Sequence, residues 1–196
     1  VTLQIVSSAS VTCNGVCNGA LTVGGNGGSA PYTFSLSNGA TDAALTGLCS
    51  GVVYTSTVTD GLGCTSITSF TIAQPALLGA VLTATNVSCF GDNNGTATAN
   101  VSGGVGPYIY QWSSGSTTSQ VSGLLPQTYS ITVIDNNGCI TTAAVLITEP
   151  AVLTLTVTAA FGCGLNNTLA NAAATGGTSP YIYSWSNGAL TPTVSG

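Results

Sequence analysis

The sequence contains no lysine, arginine, histidine or methionine. Its formal charge of −5 comes from Asp42, Asp60, Asp92, Asp135 and Glu149 alone. Ordinary globular chains carry about 25% charged residues. The share here is 3%, so Thr, Ser, Asn and Gly must cover the surface. Each absence removes a mechanism. Without His or Lys the commonest general bases are missing, and neither a Ser-His-Asp nor a Cys-His arrangement can be assembled. Only Asp and Glu remain as acid and base, so an enzyme is not expected. Without Arg or Lys no phosphate is neutralised, which removes nucleic acid as an expected partner and removes a polybasic membrane anchor. A Lys–Asn isopeptide cross-link is chemically excluded. Trypsin-like proteases should find no site in the chain, folded or denatured.

Long apolar runs are also missing. Mean hydropathy is positive, yet the richest apolar stretches, Ala76–Leu82 and Ala143–Ile147, fall far short of the roughly 20 residues of a spanning helix. Membrane insertion is therefore not expected. No basic-then-apolar leader opens the chain, which reads as a mature protein or a fragment. Seven cysteines at such low charge point to an oxidising, extracellular compartment.

What is present is an internal repeat. Val1–Pro75 aligns with Ala76–Pro150, and a third copy runs from Ala151 to Gly196. The matches fall in order. Cys13, Cys89 and Cys163 each follow an early Thr/Val/Ala-rich strand. Then come Gly27-Gly28, Gly103-Gly104 and Gly176-Gly177, followed by Pro31-Tyr32, Pro107-Tyr108 and Pro180-Tyr181. Asn38-Gly39, Ser114-Gly115 and Asn187-Gly188 come next. Gly47-Leu48 matches Gly123-Leu124, Tyr54 matches Tyr129, and Asp60 with Gly63-Cys64 matches Asp135 with Gly138-Cys139. Gln74-Pro75 and Glu149-Pro150 close the units. Between landmarks, runs such as 129–134 alternate large apolar with small polar residues, the period of a half-buried strand. Gly-Gly and Asn-Gly pairs supply turns. The pattern predicts an all-β chain of tandem immunoglobulin-like β-sandwich repeats at 1–75, 76–150 and 151–196, the third incomplete and continuing beyond Gly196.

Tyr108, Tyr110 and Trp112 stand two apart, so all three point to one face of a strand. Tyr181, Tyr183 and Trp185 repeat the pattern, and Tyr32 and Phe34 precede Leu36 in the first unit. Rings of this size dominate burial in small sandwiches, which assigns them to the core. The alternative is an aromatic platform for sugar rings. Leu125-Pro126-Gln127-Thr128-Tyr129 has the form of a tyrosine corner, in which the Tyr hydroxyl ties to upstream backbone, and it makes the following strand a central one.

The cysteines follow the repeat. The expected disulfides are Cys13–Cys64 and Cys89–Cys139, each closing a loop of about 50 residues worth up to roughly 4 kcal/mol in the chain-entropy model. Cys17 and Cys49 occur only in the first unit and are paired with each other. Cys163 is left unpaired, its partner expected beyond Gly196. The Cys13/Cys17 spacing would suit zinc, but the second unit has Cys89 alone at that place and a structural site takes four ligands.

Asp60 and Asp135, before matched Gly-Cys hairpins, read as Asx-type turn residues. Asp92-Asn93-Asn94-Gly95 departs from a calcium loop in spacing and in its missing distal Glu. No cofactor is expected, with weak calcium at a repeat junction left open. Four Asn-x-Ser/Thr sequons, at Asn86, Asn94, Asn100 and Asn166, are near chance in this composition.

Val87-Ser-Cys89-Phe-Gly-Asp-Asn-Asn-Gly95, then Gly103-Gly104, Pro107-Tyr-Ile-Tyr-Gln-Trp112, Gly123-Leu124, 129–135 and Asn137-Gly-Cys139 together resemble an SprB repeat. The likeness covers nearly all of the second unit and the available third. It is looser in the first, where Leu36 replaces the Trp and a further Cys pair enters. The resemblance implies tandem arrays in giant adhesins of gliding Bacteroidota, exported by type IX secretion, shown at the cell surface and in some cases driven by the gliding motor. It brings no catalytic residues. The leading expectation is a structural stalk segment stiffened by Pro75 and Pro150. The alternatives are a glycan- or surface-binding module and a filament subunit completed by strand exchange. The expected partners are neighbouring repeats, copies of the same protein, and surface glycans.

Overall fold

The computed structural model describes residues 1–161 and 168–195. Among these residues there are fifteen strands and no helix. The first repeat supplies β1 (Thr2–Ala9), β2 (Gly19–Asn26), β3 (Thr33–Leu36), β4 (Ala44–Leu48), β5 (Val53–Thr59) and β6 (Thr65–Thr71). The second supplies β7 (Gly79–Thr85), β8 (Gly95–Ser102), β9 (Ile109–Trp112), β10 (Gln120–Leu124), β11 (Thr128–Ile134) and β12 (Ile140–Leu146). The third begins with β13 (Thr154–Phe161), β14 (Thr168–Thr175) and β15 (Thr193–Ser195).

Strand order repeats with the sequence. The antiparallel sheets β1-β2-β4, β7-β8-β10 and β13-β14-β15 are counterparts, as are β3-β5-β6 and β9-β11-β12. The strands that carry Tyr54 and Tyr129, β5 and β11, are central in their sheets. The period of two explains why. In β5 the residues Tyr54, Ser56 and Val58 are buried and alternate with partly exposed Thr, and in β11 Tyr129, Ile131 and Val133 do the same.

The chain packs as two compact units, 1–81 with 101–111 and 132–142, and 82–100 with 112–131 and 143–196. In the first, Leu3, Val11, Leu21, Val23, Leu45 and Leu48 from one sheet and its flanks meet Leu36, Tyr54, Val58, Phe70 and Ile72 from the other. Tyr54 and Phe70 stack at 5.6 Å between ring centroids. In the second, Val87, Ala97, Ala99, Trp112, Leu124, Tyr129, Ile131, Ile147 and Ala172 are buried.

The expected aromatics alternate with exposed neighbours. Trp112 and Tyr129 are buried, and Tyr32, Phe34, Tyr108, Tyr110, Tyr181, Tyr183 and Trp185 are half-buried. In the third repeat 181–185 keeps this alternation without forming a strand. A strand needs a hydrogen-bonded neighbour, and 186–196 contains no counterpart of β11, which β9 lies beside. The Pro31, Pro107 and Pro180 peptide bonds are all cis.

Candidate functional site

The first two repeats each carry two hydrogen-bonded polar clusters, one at either end. At one end a Gly-Cys hairpin is built around a buried aspartate. Oδ1 of Asp60 accepts from the backbone N–H of Leu62 (3.0 Å) and Cys64 (2.9 Å), and Oδ2 accepts from Ser29 (3.2 Å). Oδ1 of Asp135 accepts from Asn137 (2.9 Å) and Cys139 (2.8 Å), and Oδ2 from Val105 (2.9 Å). Both carboxyls are lowered from their ordinary value of 3.8. At Asp60 the Ser29 amide is the main cause, working against burial and helped by the amides of Cys64 and Leu62. At Asp135 burial is the largest single influence and pushes the carboxyl up. The amides of Val105, Cys139, Asn137 and Gly138 together outweigh it. These aspartates are the turn residues that the Asx reading described.

At the other end lies a cysteine loop. Val11 N–H donates to Ala73 O (3.1 Å) and Val87 N–H to Thr148 O (3.1 Å). Thr12 N–H donates to Asn18 Oδ1 (3.0 Å), as Ser88 N–H does to Asn94 Oδ1 (3.0 Å). Gly15 N–H donates to Gln74 Oε1 (3.0 Å), as Gly91 N–H does to Glu149 Oε2 (2.9 Å). Gln74 and Glu149, which close the units in sequence, thus fasten the loops that carry Cys13 and Cys89.

The two ends explain a correction. Cys13 is bonded to Cys139, with Cα atoms 5.7 Å apart. The expected Cys13–Cys64 and Cys89–Cys139 bonds are not formed, and Cys64 and Cys89 are free and exposed. Cys13 sits beside the close of its repeat, where Asn14 Nδ2 donates to Pro75 O (3.1 Å). The Cys64 hairpin lies at the opening of the same repeat: a Cβ on Gly28 would meet both Asp60 and Val1. The eight-residue strand β1 runs from the one end to the other, about 26 Å at 3.3 Å per residue. A disulfide needs Cα atoms within about 7 Å. Repeat position therefore matches like cysteines without naming their partners. Cys17 is bonded to Cys49. Cys163 lies outside the described residues, as does the sequon at Asn166.

Cys13–Cys139 joins the first repeat to the second, and every residue at this joint belongs to the first compact unit. Asn137 Nδ2 donates to Thr12 O (2.9 Å) beside the bond. Gly104 N–H holds Ala76 O (2.9 Å), anchoring the short Pro junction in the second repeat. A small cavity of about 160 Å³ is lined by Cys13, Asn14, Leu77, Gly104, Cys139 and Ile140, among others. Among the described residues no cluster of three or more His, Cys, Asp or Glu is grouped for a metal.

A second feature is an open apolar groove of about 570 Å³ in the third repeat, lined by Leu155, Val157, Ala172, Tyr181, Tyr183 and Trp185, among others. Its walls come from β13, β14 and the segment 178–185.

The family model described as SprB repeat matches residues 5–41 and 81–117. These two segments are similar to SprB repeats. Each SprB match begins within β1 or β7 and ends just past the turn after β3 or β9. The matches thus contain the cysteine loops and the Gly-Gly and Pro-Tyr landmarks, and stop before the tyrosine corners and aspartate hairpins. The SprB repeat is a structural repeat of cell-surface proteins. No curated protein matches the chain.

Sequence reasoning missed two bonds that recur among the repeats. Tyr32 OH donates to Gly27 O (2.9 Å), Tyr108 OH to Gly103 O (2.7 Å), and Tyr181 OH to Gly176 O. Trp112 Nε1 donates to Thr118 O (2.9 Å) and Trp185 Nε1 to Thr191 O (2.8 Å). The constant five-residue step from Gly to Tyr was the signal for the first.

Proposed function

We propose that the chain is a length of stalk in a large secreted cell-surface adhesin, with its SprB repeats acting as spacers. The observation that carries this reading is the joint. The first and second repeats share a disulfide, a side-chain hydrogen bond and a three-residue proline junction, which restricts bending between them. A spacer that bears load benefits from such a joint. The absence of Lys and Arg suits exposure to trypsin-like proteases.

Antibody raised against the 196-residue chain should label the surface of intact source cells. On a gel it should detect a band far above 19.2 kDa. Labelling only after lysis would overturn the reading. The resemblance adds export by type IX secretion and a part in gliding motility. Cells without that secretion system should lose the label, and retention removes this finer part.

The groove in the third repeat favours a second reading, a filament subunit whose open sheet accepts strands from another copy. A native band at 19.2 kDa that assembles into fibres would support it over the stalk. Surface glycans as ligands would need the aromatic faces to be open, and the burial of Trp112 at 4% exposure weighs against that in the second repeat.

A further inference from the structure

We propose that Cys13–Cys139 is one rung of a repeating inter-repeat cystine. Cys64 and Cys89 are then the open halves of the same joint, each taking the complementary cysteine of another copy of the repeat.

The inference rests on equivalence of surroundings and on one joint already closed. Cys89 stands in the frame that holds Cys13. The amide two residues before each cysteine binds the closing strand, the amide directly before each binds an Asn side chain, and the amide two residues after each binds Gln74 or Glu149. Cys64 stands in the frame that holds Cys139. Its amide and that of the residue two before it both reach one aspartate oxygen, and the other oxygen takes an amide from the turn after the Gly-Gly pair. Cys13 and Cys139 are bonded, whereas Cys64 and Cys89 are free and exposed. A loop-type cysteine thus meets a hairpin-type cysteine from the following repeat. Cys64 is a hairpin without its loop, and Cys89 is a loop without its hairpin. Cys163 is loop-type by sequence position. The proposal depends on the repeat geometry and not on the stalk reading.

The chemistry is thiol–disulfide exchange with a small-molecule or protein disulfide as oxidant. The Cys89 thiolate attacks the oxidant's disulfide and forms a mixed disulfide, releasing one thiol. The hairpin cysteine's thiolate then attacks the Cys89 sulfur, forms the S–S bond and releases the second thiol. Two cysteine S–H protons and two electrons end on the oxidant, which leaves as a dithiol or as two thiols.

The test uses the whole chain in a Cys163→Ser background, equilibrated with reduced and oxidised glutathione. Cys64→Ser and Cys89→Ser variants, each keeping one of the two free thiols, are made with different mass labels and mixed in equal amounts. Cross-links are counted from non-reduced chymotryptic peptides. The mixed Cys64–Cys89 dimer should exceed either like–like dimer by about tenfold or more, the effect of a contact worth one decade in equilibrium constant. Statistical pairing, or no cross-link, overturns the proposal. A second chain removes the need for two molecules: residues 113–150 replace 186–196, so that Trp185 is followed by a complete second half-repeat. The cysteine of the added hairpin should pair with Cys89, with Cys13–Cys139 retained. This second chain keeps Cys163, and pairing of the added hairpin cysteine with Cys163 overturns the proposal.

Discussion

Ser56 is fully buried, and its hydroxyl has no hydrogen-bond partner. Its counterpart in the second repeat, seventy-five positions on, is Ile131, buried at 1% exposure. An apolar residue thus suits the position, and the hydroxyl there carries an uncompensated desolvation cost of about 1–3 kcal/mol. Ser56→Ala should raise unfolding free energy by about 1 kcal/mol in urea titration; a loss of stability would show that the hydroxyl has a partner. Gly103 makes the opposite case. Its φ is +68°, and a Cβ there would overlap the carbonyl oxygen of Leu77. Gly27, the matching glycine, has φ +70° and open space. Gly27→Ala should cost about 1 kcal/mol for its left-handed backbone, and Gly103→Ala clearly more in the same titration, because backbone must also move. Equal costs would remove the Leu77 contact as a cause. The Gly-Gly landmark was legible in the sequence, but the unequal demand on its members was not. Ser56 was equally hidden, because Ser and Thr occupy both faces of these strands.

Among elements, the tyrosine corners were the most legible. The stretch before β11 was read from five residues, and its hydrogen bonds follow the expected form: Leu125 N–H (3.1 Å) and Gln127 Nε2 (2.8 Å) both donate to the Tyr129 hydroxyl oxygen. The first repeat builds its own corner from different residues, with Cys49 N–H donating to Tyr54 (2.8 Å). Tyr129→Phe keeps the ring in the core and leaves the Leu125 amide without its acceptor. The expected loss is about 1–2 kcal/mol in thermal unfolding, with the near-ultraviolet signal of the native state retained. No loss would mean that water replaces the hydroxyl. The Cys17–Cys49 bond should contribute about 4 kcal/mol to the first repeat in the chain-entropy model. The double serine variant tests this by its denaturation midpoint. Other elements were less legible. Residues 181–185 carry the strand alternation of β9 without becoming a strand, because pairing comes from a neighbouring segment and not from local sequence. The pairing of Cys13, Cys64, Cys89 and Cys139 failed for a related reason: spacing marks which residues are alike, and only the run of β1 reveals that the loop and hairpin cysteines of one repeat lie at opposite ends.

At the scale of the molecule, the scarcity of charge makes the response to pH unusually simple. No histidine is present to titrate between pH 5 and 7, so stability should be flat across that interval. Asp60 and Asp135 then govern the acid side, because both folded values are lowered from 3.8 by backbone amides. The sign follows from linkage. A carboxyl that binds protons less readily when folded favours the folded state wherever the unfolded chain would be ionised. That contribution is complete above about pH 5, begins to fall as the unfolded carboxyls protonate near 3.8, and is gone once pH drops below the folded values. Each aspartate holds the hairpin that presents a cysteine, so acid should loosen the cysteine hairpins along with the fold. The melting temperature should fall between pH 4 and pH 2 in about the span that linkage to two carboxyls allows. In Asp60→Asn with Asp135→Asn the starting value should be lower and the acid slope shallower. An unchanged slope in that double variant would mean that other carboxyls carry the acid response and that the paired aspartates are incidental to it.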